Sequence, residues 1–426
     1  MAGERRKFLF ALWDGGGNVT QQLTLARRLT ERGHSVRVLT EDRLADAVMG
    51  AGCRFEPFVR APNRADPDED LIRDWEARTP LGAFARARDN IVMGPAPAYA
   101  ADTRAALDRE TVDVLVSDYM LLGVPIAGEA AGVPTAAIVH HIYIFPEPGK
   151  PAPGPGFLPS DRALARARDR LVTRMFLALF NRGLGAVNRA RREQGLEPLD
   201  HVLNQMDHVD LVLILTSEGF DFVGSGRPSH VRYAGPVLAD PAWVEPWRSP
   251  WSDDDLPLVV VSFSSTYMSQ ERVLVRTIQA LSELPVRVLV TTGPAVDPRR
   301  LPRPTNVVAV RSAPHAEIFP HAAAVVTHAG MGTVTRALTS GVPLLCLPMG
   351  RDQLDIAARV VHAGAGLRLR PGAPRRAIAR AVERLIGDPS FREAARKVGD
   401  RMLADAAEDR AVSELEALAG RPGTRE

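Results

Sequence analysis

Cysteine is scarce in this sequence: only Cys53 and Cys346 are present, and each lies inside an apolar segment. Two isolated thiols exclude a disulfide framework and the paired-cysteine spacing of a zinc site. The carboxylates show no grouping with metal-ligand spacing either. We therefore expect no bound metal, and the cysteine content fits a reducing, cytoplasmic location.

Long apolar runs and blocks of like charge are also missing. No uninterrupted apolar run approaches the ~20 residues that cross a bilayer, and the N-terminal run ends at Asp14, short of the ~7–15 residues of a signal-peptide core. The 53 basic and 51 acidic residues nearly cancel, without a block of roughly five or six like charges. We expect neither stable membrane insertion nor a nucleic-acid partner.

Short apolar runs are abundant, and helical periodicity separates almost all of them. Such strands, alternating with amphipathic helices, are typical of parallel sheets that are covered on both faces. A chain of 426 residues exceeds one ordinary core, so the pattern predicts two doubly wound α/β domains. The predicted strands are KFLFALW, SVRVLT, VDVLVSD, TAAIVHH and DLVLILTS in the first half, and PLVVVSF, VRVLVTTG, NVVAVR and AAAVVTHAG in the second.

A proline-rich and tryptophan-rich stretch at residues 235–257 has neither strand nor helix period, which is typical of an interdomain linker. We therefore predict an N-terminal domain over 1–238, a linker over 239–256 and a second domain over 257–400. The remainder, 401–426, is predicted to be a helix that packs back on the N-terminal domain and ends in a polar tail.

The first loop, DGGGN, follows a strand and precedes a helix, the place where an open α/β sheet binds phosphate. It nearly matches a dinucleotide fingerprint, with Thr20 at the third glycine position and with Glu41 and Asp42 near the position of the ribose-binding acid. A nicotinamide or flavin oxidoreductase is therefore one alternative. A tight turn that needs positive φ angles explains the glycines equally well.

A second loop, HAGMGT, is more specific. It places His328, Gly330, Gly332 and Thr333 between a strand and a helix, where backbone amides can point at a pyrophosphate. Further along, PMGRDQ ends in Asp352 and Gln353, which can hydrogen-bond vicinal sugar hydroxyls. Alternatively, Asp352 is a helix N-cap and Gln353 is a solvated helix residue.

The order His-x-Gly, Gly-Thr, AL, GVP, P and DQ resembles the donor-site signature of the UDP-glycosyltransferase superfamily. GGGNVTQQLTLARRLTERGHSV, VSDYMLLGVPIAGEAAGVP and VVVSFSST are similar to other parts of that family. The resemblance implies the GT-B fold, with two Rossmann-like domains facing across a cleft, an acceptor site in the N-terminal domain and a donor site in the C-terminal one. It also implies inverting sugar transfer.

Carried over position by position, the resemblance assigns the donor phosphates to His328, Gly332 and Thr333, and the donor sugar to Asp352 and Gln353. Asp118 matches the partner of the family's catalytic histidine. The remaining positions implied for the donor nucleotide are Ser265 near the phosphates, the backbone of Ser312, Ala313 and Pro314 at the base, and His315 near the ribose.

Three positions depart from the family pattern. Arg336 stands where many members have a glutamate that grips the ribose, so the choice between uridine and deoxythymidine donors stays open. Ser264 replaces a common glycine. Asn18 replaces the histidine base, and an amide cannot accept a proton near neutral pH.

Either another group must therefore take the proton from the acceptor, or the acceptor must need little help in losing it. Asp118 is the first candidate, because burial of a carboxylate raises its pKa, and His141 is the second. His140 is expected to point the opposite way from His141 if the strand period continues. A carboxylate base suits a phenol or another acidic acceptor better than an alcohol.

The sequence thus predicts an enzyme that moves a hexose or deoxyhexose from a UDP- or dTDP-sugar to a hydrophobic, natural-product-like acceptor. We expect no cofactor besides this co-substrate, and a monomer or homodimer. Because the family's base is missing, the alternative is a catalytically weak sugar-nucleotide-binding or auxiliary protein of the same fold.

Overall fold

Two parallel β-sheets organise the molecule. The structure is a computed structural model that describes residues 4–64, 69–77, 79–239, 248–251, 256–263 and 266–420. All neighbouring strands are parallel in both the seven-stranded and the six-stranded sheet. The first sheet contains β1 (Lys7–Ala11), β2 (Ser35–Thr40), β3 (Arg54–Pro57), β4 (Val114–Asp118), β5 (Thr135–Val139), β6 (Leu211–Ile214) and β7 (Val231–Tyr233). The second contains β8 (Leu258–Ser262), β9 (Arg287–Thr291), β10 (Val307–Val310), β11 (Ala322–Thr327), β12 (Leu344–Cys346) and β13 (Gly366–Arg368).

The strand order is the doubly wound order in both sheets. It runs β3-β2-β1-β4-β5-β6-β7 in the first and β10-β9-β8-β11-β12-β13 in the second. The winding therefore reverses between β1 and β4 and again between β8 and β11. Open parallel sheets bind ligands at the carboxyl ends of the strands beside such a switch point.

Helices cover both faces of each sheet. On β1, Phe8 and Phe10 belong to one buried cluster, while Leu9 and Ala11 belong to the cluster on the opposite face. The helices around the first sheet are α1 (Gly17–Glu31), α2 (Ala45–Gly50), α3 (Pro80–Ala87), α4 (Ala96–Arg109), α5 (Gly123–Ala131), α6 (Ala163–Asn181) and α7 (Leu184–Glu193). The helices that come after β8 in the chain are α8 (Glu271–Leu281), α9 (His315–Ile318), α10 (Met331–Thr339), α11 (Gln353–His362), α12 (Arg375–Gly387), α13 (Pro389–Ala407) and α14 (Arg410–Ala419).

The predicted fold class is confirmed, since all nine predicted strands lie in the two sheets. The sequence patterns did not identify β3, β7, β12 and β13, which have only three or four residues each. Two stretches whose pattern predicts long helices, residues 161–192 and 390–418, are each divided into two helices. The break before α14 falls at Asp409, whose φ is 48°, and the break between α6 and α7 falls at residues 182–183.

Helix α14 lies against the first sheet. Its Val412, Leu415 and Leu418 are buried in the same cluster as Phe8 and Phe10 of β1. Ion pairs between helices α1 and α14 and their flanking residues surround this contact. They join Arg28 to Asp409 and Arg32 to Asp409 and Glu416, and the His34 ring lies within hydrogen-bond distance of Glu416, at 3.0 Å.

The proline-rich segment 145–157 of the N-terminal half packs on α11 of the second domain. The Asp355 carboxylate accepts hydrogen bonds from the amides of Gly154 and Gly156, at 2.6 and 2.8 Å. One turn further along α11, Arg359 forms a buried ion pair with Asp221 of the N-terminal half, at 2.7 Å. The first two turns of α11 are therefore held by contacts from the N-terminal half.

The predicted linker lies partly outside the described residues, as do the polar tail at 421–426 and the positions Ser264 and Ser265. Across the described ranges, no helix combines the length and apolarity needed to cross a bilayer.

Candidate active site between the two domains

A cleft between the two domains lies at the carboxyl ends of both sheets. The space between its walls, including the part that is open solvent, is about 1510 Å³. Its walls include the start of α1, the residues after β5, the segment 236–239, the loops after β8–β11 and the start of α11. The predicted site residues in its lining are Asn18, His141, Ser312, Ala313, His315, His328, Gly330, Gly332, Thr333, Arg336, Asp352 and Gln353.

Helix α10 begins at the cleft, directly after β11. The amide of Val334 donates to the Gly330 carbonyl at 3.0 Å, whereas the amides of Met331, Gly332 and Thr333 donate to none of the described residues. Unpaired amides at a helix N-terminus, together with the helix dipole, attract an anion. The start of α10 can therefore hold a phosphate group.

The two glycines of this loop differ in what surrounds them. A Cβ atom on Gly330 would lie only 2.4 Å from the Nε2 atom of His328, so this position requires glycine to let the imidazole lie beside the helix start. Apart from its chain neighbours and its own helix backbone, a Cβ atom on Gly332 would meet no atom of the described residues within 4 Å. Packing of the described residues therefore does not require glycine at this position, but glycine leaves the cleft open there.

His328 is a buried histidine at the floor of the cleft. Its ring stacks on Phe263 with centroids 6.1 Å apart. Burial, with the nearby charge of Arg351, lowers the pKa of His328 to about 3. The imidazole is therefore neutral over the ordinary pH range, so one ring nitrogen donates and the other accepts.

The residues predicted to meet the nucleoside follow β10 at one end of the cleft. Ser312 and Ala313 are buried, and the Pro314 carbonyl accepts from the amides of Glu317 and Ile318 at the start of α9. Pro314 thus lies behind the lining, since its carbonyl is used inside the protein. The ring of His315 stacks on Phe319, with centroids 4.4 Å apart and planes 16° apart.

Asp352 and Gln353 differ in how their side chains are used. The Asp352 carboxylate makes no capping hydrogen bond to α11 and contacts the cleft. The Gln353 carbonyl oxygen accepts from the amides of Met349 and Gly350, at 2.8 and 3.1 Å, and its side chain is buried. Asp352 is thus available to a ligand, whereas Gln353 also holds the loop before α11. Arg336, one turn after Thr333 on α10, borders the same cleft.

Asn18 and Asp118 form a buried hydrogen-bond network at the first switch point. The Asn18 amide donates to Asp118 at 2.9 Å and to the Trp13 carbonyl at 2.8 Å, and its oxygen accepts from the Gly15 amide. Gln22 donates to the same Asp118 oxygen at 2.7 Å. The Asp118 side chain is completely buried and is not part of the cleft wall. Burial raises the pKa of Asp118.

His141 borders the cleft, but both of its ring nitrogens are hydrogen-bonded inside the N-terminal domain. Nδ1 lies 2.6 Å from the Ile142 carbonyl, and Nε2 lies 2.7 Å from the Tyr119 hydroxyl. Because the Ile142 carbonyl can only accept, Nδ1 carries the proton and Nε2 accepts from Tyr119.

The expectation that His140 points away from His141 is wrong. Both rings border the cleft, and their centroids are 4.9 Å apart. The reason is that β5 ends at Val139, so the alternation of a strand no longer applies to these two residues.

Glu41, one of the two acidic residues that could have indicated a dinucleotide site, is used elsewhere. Glu41 is completely buried and forms an ion pair with Arg64. It also accepts from the Asp14 amide at 2.9 Å. A carboxylate that is occupied by a guanidinium and an amide cannot serve a ribose, which disfavours an oxidoreductase. Among the described residues, no group of three or more metal-ligating side chains occurs.

Comparisons with known proteins agree with this geometry. The model of the glycosyl transferase 4-like domain matches residues 15–193, and that of the erythromycin biosynthesis protein CIII-like C-terminal domain matches residues 275–418. The 4'-demethylrebeccamycin synthase of Lentzea aerocolonigenes is 31% identical over 425 residues, which cover 97% of this chain and 99% of that protein. This chain belongs to the UDP-glycosyltransferase superfamily.

Solved structures of other glycosyltransferases have the same fold. The calicheamicin glycosyltransferase CalG4 gives a TM-score of 0.73 at 23% identity, covering 98% of this chain and 99% of that one. The glycotransferase of kitacinnamycin gives a TM-score of 0.74 at 20% identity, covering 97% and 99%. The two parallel-sheet domains of this glycosyltransferase are therefore those of the GT-B fold.

Three polar residues of this glycosyltransferase site were not identified from the sequence. Gln22 lies four residues after Asn18, one turn along α1, a spacing that could have indicated its shared contact with Asp118. Arg351 pairs with Asp74 of the N-terminal domain at 2.7 Å, beside Asp352, and no sequence pattern indicates this contact. The alternation of a strand predicts that His140 points away from His141, and this prediction hides its place at the cleft.

Proposed function

We propose that this glycosyltransferase moves a hexose or deoxyhexose, with inversion, from a UDP- or dTDP-sugar to a hydrophobic small-molecule acceptor. The observation that carries the proposal is the placement of unpaired amides at the start of α10 opposite polar groups of the N-terminal domain, across one cleft. A donor bound with its diphosphate on α10 would have its sugar between the two domains.

The start of α10 would stabilise the leaving group. As the bond between the sugar and the diphosphate breaks, negative charge grows on the phosphate oxygens, and fixed amides at a helix N-terminus stabilise that charge without reorganising. His328 and the Thr333 hydroxyl border the same part of the cleft and can donate further hydrogen bonds. The Asp352 carboxylate would accept hydrogen bonds from the sugar hydroxyls.

Arg336 and two related structures support a proposal about the nucleoside of the sugar donor. A guanidinium donates hydrogen bonds but accepts none, so Arg336 cannot accept hydrogen bonds from two ribose hydroxyls as a glutamate would. We therefore propose that a deoxythymidine donor is accepted. Glycosyltransferase VinC, which is 20% identical to this chain, was solved with dTDP. The spinosyn rhamnosyltransferase SpnG, which is 18% identical, was solved with thymidine diphosphate.

The acceptor is proposed to be an apolar natural product. Pro236, Val237 and Leu238 contribute apolar surface to the cleft. The relatives whose names state a product or substrate include 4'-demethylrebeccamycin synthase and a zeaxanthin glucosyltransferase.

Purified protein tests this proposal directly. UDP- and dTDP-sugars would be screened by thermal shift, because a ligand that binds only the folded state raises its stability. Stabilising donors would then be incubated with phenolic acceptors, the product mass would be measured, and the anomeric configuration would be read from the proton coupling. Donor binding without transfer to any acceptor would instead support the auxiliary sugar-nucleotide-binding protein, and retention at the anomeric carbon would contradict inversion.

A further inference from the structure

We propose that His140 accepts the acceptor's proton and that Asp118 positions its ring. This inference rests on the proposed transfer reaction and adds the group that replaces the missing histidine of the first loop. It assigns the base to the end of β5 instead of the start of α1.

The sheet brings these two side chains together. β4 and β5 are neighbours, and Asp118, the last residue of β4, is in register with Ile138 of β5. His140 follows two residues after Ile138, so it leaves the sheet beside the Asp118 carboxylate. The distance from His140 Nδ1 to Asp118 Oδ2 is 3.7 Å.

The two ring nitrogens of His140 have different surroundings. Nδ1 is buried and makes no hydrogen bond to the described residues, and the Asp118 carboxylate lies just beyond hydrogen-bond length. Hydrogen bonds of catalytic groups are often long before substrate binds. Nε2 also makes no hydrogen bond to a described residue, but it is not among the buried atoms, and the residue borders the cleft. A proton on Nδ1, shared with Asp118, would leave the Nε2 lone pair facing the cleft.

The other candidates for the base are already occupied. Asp118 is completely buried, and it accepts hydrogen bonds from Asn18, Gln22 and the Met120 amide. The Nε2 atom of His141 accepts from the Tyr119 hydroxyl. In contrast to both, His140 combines a free ring nitrogen with access to the cleft.

His140 also lies near the proposed sugar site. Asp352, the carboxylate assigned to the donor sugar, borders the same cleft, and its charge acts to raise the pKa of His140. Burial and the neighbouring His141 outweigh it and lower that pKa to about 3, so the ring is neutral before the reaction. The same shift lowers the proton affinity of the ring, so His140 suits a phenol or another acidic acceptor better than an alcohol. The carboxylates of Asp118 and Asp352 would then stabilise the imidazolium that forms.

The proposed step is balanced. The acceptor oxygen bonds to the anomeric carbon while the bond from that carbon to the diphosphate oxygen breaks. The electron pair of the broken bond leaves with the diphosphate. The acceptor's proton moves to Nε2 of His140. The imidazolium later releases this proton to solvent.

His140→Gln tests the base. We expect kcat to fall at least about 100-fold with a weakly acidic acceptor, within the range of general-base catalysis, while dTDP affinity measured by calorimetry stays within a factor of about two. Across a series of substituted phenols, the variant's rate should depend more steeply on acceptor acidity than the parent's rate. Added imidazole should partly restore the rate of His140→Ala.

His141→Gln is the matched control, since its ring borders the same cleft but is hydrogen-bonded to Tyr119. Its rate should not respond to imidazole, and its dependence on acceptor acidity should stay that of the parent. If the parent transfers sugar and His140→Gln keeps the parent's rate and acidity dependence, His140 is not the base. If the parent itself transfers no sugar, the proposed function fails, which is a separate result.

A double-mutant cycle tests the positioning role of Asp118. Asp118→Asn should lower kcat with little change in the KM for the donor. In the His140→Gln background, the same substitution should cause little further loss, because there is no imidazole left to orient. Equal losses in both backgrounds would show that Asp118 acts on the fold and not through His140.

Discussion

At the scale of single residues, the two glycines at the start of α10 make the phosphate site testable. Gly332→Ala adds a methyl group that meets no atom of the described residues within 4 Å beyond its chain neighbours and helix backbone, and alanine favours a helix more than glycine does by up to ~1 kcal/mol. We expect its free energy of unfolding to be unchanged or higher. Its affinity for dTDP should fall, because the methyl group occupies space beside the unpaired amides.

Gly330→Ala is the matched comparison. Its methyl group would lie 2.4 Å from Nε2 of His328, so the imidazole or the loop must move and both stability and dTDP affinity should fall. Chemical denaturation and calorimetry measure the two effects separately. A Gly332→Ala protein that binds dTDP as tightly as the parent would contradict the phosphate assignment.

The adjacent polar residues at the start of α11 should also behave differently. The Asp352 carboxylate makes no capping bond and is proposed to contact only the donor sugar. Asp352→Ala should therefore weaken binding of the sugar nucleotide much more than binding of the free nucleoside diphosphate. Gln353→Ala removes the acceptor for two backbone amides, which should lower the free energy of unfolding by about 1–3 kcal/mol. Calorimetry with both ligands, together with denaturation, distinguishes these outcomes; equal weakening of both ligands by Asp352→Ala would indicate a role in the loop alone.

At the scale of elements, the contact between segment 145–157 and α11 should make stability depend on pH. Lys150 in this segment lies 4.8 Å from the centroid of the Tyr143 ring. Burial lowers the pKa of Lys150 to about 8, from 10.5 in a model peptide. Between these two values the unfolded chain binds more protons than the folded protein, so this lysine makes stability rise with pH across that window.

Lys150→Met should remove this contribution. The free energy of unfolding of the parent, minus that of the variant, should therefore increase from pH 8 towards pH 10. Denaturant titrations of both proteins at several pH values measure the difference and cancel the groups that they share. A difference that stays constant or decreases would show that Lys150 is solvated like an ordinary surface lysine.

The longer elements could be predicted from sequence, but side-chain partners could not. Strands such as β1 and β8 are continuous apolar runs, and burial on both faces requires that pattern. The strands β3, β7, β12 and β13 are too short to carry an identifiable pattern. The contacts of His140 depend on where β5 ends and on its neighbour β4, and the hydrogen bonds that Gln353 accepts from Met349 and Gly350 depend on the path of the preceding loop. Neither appears in the local sequence.

At the scale of the whole molecule, α14 should stabilise the N-terminal domain. Leu415 is completely buried against the first sheet, so Leu415→Ala should lower the free energy of unfolding by about 2–5 kcal/mol. Leu403 on α13 is 43% exposed, and Leu403→Ala is the control that should change little. Thermal unfolding of the two variants, with and without dTDP, measures their changes in stability. Equal effects of the two substitutions would contradict the packing of α14.

The position of α14 also constrains recombination between relatives of this enzyme. Because α14 supplies core side chains to the first sheet, the second domain is in effect an insertion into the chain of the first. A chimera joined once, at the segment between the sheets, would place a foreign α14 against β1. An exchange of the second domain therefore needs two junctions, one before β8 and one near Asp409, so that each first domain keeps its own last helix.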